Sequence, residues 1–153
     1  GRSQLGISYQ KVHPQREIVA RSLGEVSMPL VVSPEHPLAH KQPLREADLQ
    51  GARQLMVTGR REGTERQRFR LSAQVWWVEG DFGVLELVKQ GLGWAAIPAF
   101  LIHQPLARKE VVVLAPDFIA SHELALELQW HRARPLGPAG RWLKEALLAR
   151  VPR

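Results

Sequence analysis

Between Gln74 and Pro98 the chain reads QVWWVEGDFGVLELVKQGLGWAAIP, and this stretch restricts the fold more than any other. Gln74-Val-Trp-Trp-Val78 is a short apolar run closed by turn chemistry, the pattern of a strand. Asp81 stands where a helix N-cap belongs, because its carboxylate accepts free backbone N–H groups. Phe82, Val84, Leu85 and Val88 then supply a mostly helical apolar face. Trp94 to Ile97 is a second strand, stopped by Pro98, which lacks the N–H a strand would use. Strand, helix and strand in about two dozen residues make a βαβ unit. Such a unit predicts parallel pairing with a right-handed crossover, and so an α/β fold.

Gly91-Leu-Gly93 inside this stretch raises a competing reading, a phosphate-cradling loop. That loop needs G-x-G-x-x-G after a strand and opening a helix. Here the glycines follow the helix, and Ala96 occupies the third position. They read instead as a helix ending, with Gly91 at positive φ closing the last turn. Lys89 lies in that turn, where the helix dipole favours a cation. Gly93 permits close passage into the next strand.

The rest of the chain fits the same class. Gln4 to Ser8, Ile18 to Val26 and Met28 to Ser33 are extended candidates, with a polar loop around His13, Pro14 and Gln15. Pro34, Pro37 and Pro43 punctuate a loop, and Leu44 to Leu49 suits one helical turn. Gln54-Leu-Met-Val-Thr58 reads as a buried strand, followed by the charged run from Gly59 to Arg70. Glu110 to Leu114 is a Val-rich strand. From His122 to Trp130 the chain alternates, with Leu124, Leu126, Leu128 and Trp130 on one side, which predicts a strand with one buried face. Ala139, Trp142, Leu143, Ala146, Leu147 and Val151 make a C-terminal amphipathic helix after Gly137-Pro138. Trp76 and Trp77 are strand neighbours and face opposite sides, so one is expected in the core.

A chain of 153 residues with 44% hydrophobic and 24% charged content buries a core. No apolar run spans a bilayer, and no basic-then-apolar leader argues for export. The chain has no cysteine, which excludes disulfides, zinc–thiolate sites, iron–sulfur clusters and thiol redox sensing within it. Its net charge of +6 favours polyanions or acidic ligands without deciding function.

Catalytic patterns are absent. No H-E-x-x-H metal motif and no G-x-S-x-G elbow occurs, and His36 and His40 flank Pro37 in a loop. No metal ligand set and no cofactor is expected. In parallel α/β sheets, ligands bind beyond the carboxyl ends of the strands. That places Thr58-Gly59-Arg60 and Glu79-Gly80-Asp81-Phe82 along one candidate ligand wall. Glu79 and Asp81 would repel an anion and Arg60 and Arg61 would attract one, so the ligand's charge stays open. The Arg60 to Arg70 run reads as a solvated face or as a phosphate contact.

Four motifs together resemble the effector-binding domain of LysR-type transcriptional regulators. Val32-Ser-Pro-Glu-His-Pro-Leu-Ala39 is similar to the family's "HPLA" segment. Ala47-Asp-Leu-Gln-Gly51 before Leu55-Met-Val57 is similar to its step into a strand. Leu87-Val-Lys-Gln-Gly-Leu-Gly-Trp94 with Ile97-Pro98 resembles its glycine signature. Gln4-Leu-Gly-Ile7 resembles the strand closing half of its first lobe.

The resemblance implies a type 2 periplasmic-binding-protein-like α/β fold, two Rossmann-like lobes joined by two crossing strands near Pro29–Ser33 and Val111–Pro116. Residues 1–34 would be a partial lobe I, 35–112 lobe II, and 113–153 the crossing and return to lobe I. It implies an unknown small-molecule effector held between the lobes by Ser8, Tyr9, Thr58, Gly59, Arg60, Glu79, Gly80, Asp81, Phe82 and Pro98. It further implies a cytoplasmic bacterial protein, not an enzyme and not membrane-bound, that forms a homodimer or homotetramer. DNA would be reached through a helix-turn-helix domain absent from this chain. The family's first strand, helix and second strand of lobe I are also absent, which suggests a truncated first lobe with exposed apolar surface. A solute-binding protein of a transport system shares the architecture and stands as the alternative.

Overall fold

The structure is a computed structural model that describes residues 3–9, 16–58, 69–119 and 123–151. The chain divides into two compact units, residues 1–26 with 123–153, and residues 27–122. The segments assigned from the sequence to the crossing, at 29–33 and 111–116, thus fall within the second unit.

In the first unit three strands form one sheet: β1 (Leu5–Tyr9), β2 (Ile18–Ser27) and β8 (Glu123–His131), in the order β1-β8-β2. β1 and β8 are antiparallel, with Ile7 opposite Leu128 and Ser8 opposite Glu127. Leu124 and Leu128 are buried, as the alternation requires, while Leu126 and Trp130 are half-buried. Helix α4 (Pro138–Leu148) follows, with proline at its start where a missing N–H costs nothing. Its apolar stripe exists, yet no α4 residue is buried and Trp142 is 70% exposed.

The second unit holds the remaining strands: β3 (Leu30–Val32), β4 (Gln54–Val57), β5 (Val75–Val78), β6 (Ala95–Ala96) and β7 (Val112–Leu114). β4 and β5 are parallel; the βαβ reading concerned β5 and β6, and β4 lies between these two, running the same way. A parallel bridge between Gln54 and Trp94 joins β4 to the chain entering β6. β6 and β7 both pair antiparallel with β3. The resulting strand order is β5-β4-β6-β3-β7, with β3 alone running against the others.

Strand alternation divides the core between two faces. Val31 packs with Leu55, Val84, Leu85, Val88, Ala95, Ile97, Ile102 and Val111. Its neighbours Leu30 and Val32 pack on the other side with Leu38, Leu49, Trp94 and Leu114. Each large apolar side chain fully buried in this way contributes about 1.5–3 kcal/mol. Helix α2 (Gly80–Lys89) serves the first cluster through Val84, Leu85 and Val88. A short 3-10 turn (Pro37–His40) and helix α1 (Glu46–Gly51) serve the second through Leu38 and Leu49.

Several sequence expectations change. The N-cap of α2 is Glu79, and Asp81 lies inside the first turn. The reason is Gly80, whose φ of 74° turns the chain into the helix two residues early. Phe82 is 72% exposed and outside the apolar face. Trp76 and Trp77 are each 45% exposed, so neither is core, because β5 is an edge strand with β4 as its only partner among the described residues. Arg53 covers the Trp76 ring at 3.9 Å. Helix α3 (Ala99–Ala107) was not foreseen, since Pro105 inside it disguises the helical period. The loop around His13 and most of the Gly59–Arg70 run lie outside the described residues.

The glycine stretch behaves as its chemistry requires. Gly91 has φ 74°, its N–H donates to Val88 O at 2.9 Å, and Leu92 N–H donates to Leu87 O at 3.1 Å. Those two bonds are the Schellman ending of a helix. Lys89 pairs with Glu86 at 3.0 Å and Glu110 at 3.3 Å, and these carboxylates, Glu86 first, raise its pKa.

Candidate functional site

Because β4, β5 and β6 run the same way, their carboxyl ends share one edge of the 27–122 unit. Thr58 follows β4, Glu79 and Gly80 follow β5, and Pro98 follows β6. Thr58 N–H donates to Val78 O at 2.8 Å and its hydroxyl donates to the same oxygen at 3.4 Å. These bonds tie the two loops together and leave Thr58 and Glu79 exposed beside each other. β3 starts at this edge too, with Ile97 N–H donating to Pro29 O at 3.1 Å.

Two helices begin here. The first-turn N–H groups of a helix lack intrahelical partners and carry partial positive charge. α2 opens at Gly80 with no side-chain cap bond from Glu79. α3 opens after Pro98, a buried N-cap residue that has no side-chain donor or acceptor. The edge therefore combines amide donors, the Thr58 hydroxyl and the carboxylates of Glu79 and Asp81. That mixture suits a polar small molecule bearing both donors and acceptors.

Of the expected site residues, Thr58, Glu79, Gly80, Asp81, Phe82 and Pro98 lie at this edge or in the first turn of its helix. Gly59 and Arg60 lie outside the described residues. Ser8 and Tyr9 belong to the other unit, at the carboxyl end of β1. The Ser8 hydroxyl is buried with no hydrogen-bond partner among the described residues, an uncommon state for a polar atom.

Sequence reasoning missed Gln54. It is 1% exposed, donates from Nε2 to Phe69 O at 2.6 Å, and accepts from Leu71 N at 2.9 Å and Ser72 N at 3.1 Å. Ser72, also buried, bonds back to Gln50 O and Gln74 O. Together they anchor the chain as it re-enters β5, which carries Glu79 to the edge. The signal was an amide in an otherwise apolar strand, where burial demands partners.

Among the described residues no three His, Asp or Glu side chains gather as a metal-binding group. His36 instead caps the 3-10 turn, its Nδ1 accepting Leu38 N–H at 3.2 Å, and burial lowers its pKa. No helix among the described residues is long and apolar enough to cross a membrane.

Comparison with known proteins bears on this arrangement. The family model described as "LysR substrate binding domain" matches residues 1–152. A curated relative, the HTH-type transcriptional regulator AceR of Acinetobacter baumannii, is 28% identical over 146 residues, covering 94% of this chain and 48% of AceR. The chain thus spans about half the length of that relative. Among solved structures, the CcmR regulatory domain of Synechocystis PCC6803 in complex with 2-PG matches with a TM-score of 0.76 at 15% identity, covering 98% of this chain and 74% of that one. The effector binding domain of QuiR in complex with shikimate matches with a TM-score of 0.75 at 19% identity, covering 97% and 71%. The regulatory domain of MetR from N. meningitidis matches with a TM-score of 0.72 at 19% identity, covering 96% and 68%. The shared architecture is the type 2 periplasmic-binding-protein-like α/β fold.

Proposed function

The chain belongs to the LysR substrate binding domain family, and from that membership we propose that it is the small-molecule-sensing part of a bacterial DNA-binding transcriptional regulator. The observation that carries the reading is the family match over residues 1–152, joined to a parallel-strand edge where two helices begin. The effector binds at that edge. The first-turn amides of α2 and α3 donate to it, and Glu79, Asp81 and the Thr58 hydroxyl oxygen, whose proton goes to Val78 O, accept from it. Ser8 and Tyr9 are proposed as effector contacts offered by their own unit, because the Ser8 hydroxyl is buried without a hydrogen-bond partner among the described residues. Phe82, exposed in the first turn of α2, offers an apolar contact.

Sensing requires that the effector bind one conformation better than another, since equal affinity for both shifts nothing. The domain acts by binding rather than by turnover. The regulator is cytoplasmic, assembles as a homodimer or homotetramer, and reaches DNA through a helix-turn-helix domain.

The test is a thermal-shift screen of polar small molecules, with 2-PG and shikimate as first probes because solved relatives are bound to them. A ligand at 100 times its Kd stabilises the folded state by about 2.7 kcal/mol. Thr58→Ala removes one hydrogen bond of about 0.5–1.5 kcal/mol and weakens binding roughly 2- to 12-fold. Hits whose affinity survives Thr58→Ala and Asp81→Ala together would overturn the site.

A further inference from the structure

The +6 charge is not spread evenly. The unit made of residues 1–26 and 123–153 holds ten Lys and Arg against five Glu, a balance of +5. Residues 27–122 hold eleven against ten, a balance of +1. Within the first unit the fold gathers part of this excess at one end.

β2 begins just after Arg16 and Glu17, and Arg132 N–H donates to Glu17 O at 2.7 Å. Arg132 thereby sits beside the start of β2. A tight turn follows β8, with Arg134 N–H donating to His131 O at 3.3 Å, and it carries both Arg132 and Arg134. The Lys144 ammonium lies 5.3 Å from the Trp130 ring centre, which ties α4 to the same strand end. Arg141 stands three residues before Lys144, on the same helix face.

These guanidinium groups are unspent. Arg16, Arg132, Arg134 and Arg141 are all exposed, and none is in an ion pair among the described residues. The neighbouring carboxylate, Glu17, is 3.3 Å from His131 Nε2. Four arginines and a lysine, borne on three elements with little compensating charge, make a surface complementary to a polyanion.

We propose that this end of the unit docks on the phosphate backbone of double-stranded DNA. Arginine presents a planar fork that matches phosphate oxygens two at a time. The side chains stand on a turn and on helix and strand ends, not on one helix able to enter a groove. The contact is therefore to backbone and indifferent to base sequence. The choice of DNA as the polyanion rests on the regulator reading. The contact holds the sensing domain against the duplex instead of leaving it tethered above it.

The experiment uses the 153-residue chain and a labelled duplex of roughly 25 arbitrary base pairs, followed by fluorescence anisotropy across a salt series. Binding is expected in the range of about 10⁻⁴ to 10⁻⁶ M, with a log–log salt slope of about −0.9 per phosphate contacted. Arg132→Ala with Arg134→Ala should shrink the slope by about 1.8, and the Lys double variant should restore it. Arg108→Ala with Lys109→Asn, two exposed cations of the other unit, should leave it unchanged. Three results would overturn the proposal. One is a slope unmoved by the Arg132/Arg134 change in a protein of unaltered melting temperature. Another is equal loss in the Arg108/Lys109 variant, and the last is binding to vesicles of anionic phospholipid but not to the duplex. The effector screen uses no DNA, so failure here leaves the sensing function standing.

Discussion

Replacing Gly93 with alanine tests how β6 is attached to the sheet. A Cβ at Gly93 would stand 2.5 Å from the Arg53 carbonyl oxygen, 3.2 Å from its carbon and 3.3 Å from Leu55 Cγ. Carbon and carbonyl oxygen approach to about 3.3 Å in ordinary contacts, so the strands must part by roughly 0.8 Å. That carbonyl accepts Trp94 N–H at 3.0 Å, and Leu55 N–H donates to Trp94 O at 2.9 Å. Trp94 cannot drift to relieve the strain, because it is fully buried and its Nε1 donates to Leu49 O at 3.1 Å. Overpacking costs about 1–3 kcal/mol. Weakening the two strand bonds adds about 0.5–1.5 kcal/mol each. The sum is about 2–6 kcal/mol. Gly91→Ala is the internal control: its φ is 74°, and its nearest neighbour is Ser33 Cβ at 3.9 Å. It meets only the left-handed backbone penalty of about 1–2 kcal/mol. Urea unfolding followed by tryptophan fluorescence reads both. With a slope near 2 kcal/mol per molar, the midpoint falls by roughly 1–3 M for Gly93→Ala and 0.5–1 M for Gly91→Ala. A Gly93→Ala midpoint at or above that of Gly91→Ala would refute the close-approach argument.

Further outcomes are expected. Gln54→Leu strands the N–H groups of Leu71 and Ser72 and should lower stability by about 2–4 kcal/mol, measured by thermal unfolding. Gln54→Glu keeps both acceptor bonds but sets a buried carboxylate oxygen against Phe69 O, so it should be destabilising as well. Phe82→Ser should change stability by less than about 0.5 kcal/mol, because the side chain is exposed, whereas Leu85→Ala, from the core, should cost about 2–5 kcal/mol. His36 accepts Leu38 N–H through Nδ1, which only the neutral ring allows, and burial holds its pKa below the ordinary 6.5. The unfolded chain therefore takes up the proton first. This contribution is complete above pH 6.5 and is lost as pH falls through the folded-state value. His36→Asn should flatten that part of the pH profile, read as urea midpoints between pH 5 and 8.

Local chemistry made much of the architecture legible in the residues. Short apolar runs closed by turn residues predicted β4, β5 and β6, alternation predicted β8, and helical spacing predicted α2 and α4, because such patterns reflect backbone geometry that each segment carries with it. The helix ending at Gly91 and the close pass at Gly93 followed from the missing side chain. The LysR resemblance, resting on short motifs from Gln4 to Pro98, agreed with the family match. Helix α3 escaped because Pro105 broke its period, and the cap shifted from Asp81 to Glu79 because Gly80 took a left-handed turn.

What the sequence determined alone was most of the elements, the parallel β5–α2–β6 unit and the lack of cysteine chemistry within this chain. Tertiary structure decided which apolar residues are core. Phe82, Trp76 and Trp77 look as hydrophobic as Trp94, but only Trp94 is covered on both sides. It also decided that Gln54 is an anchor and that Arg132 comes beside Arg16 at the start of β2. The physical reason is common to all three. Burial and charge density are properties of neighbours distant along the chain, and a residue's own identity does not specify who those neighbours are.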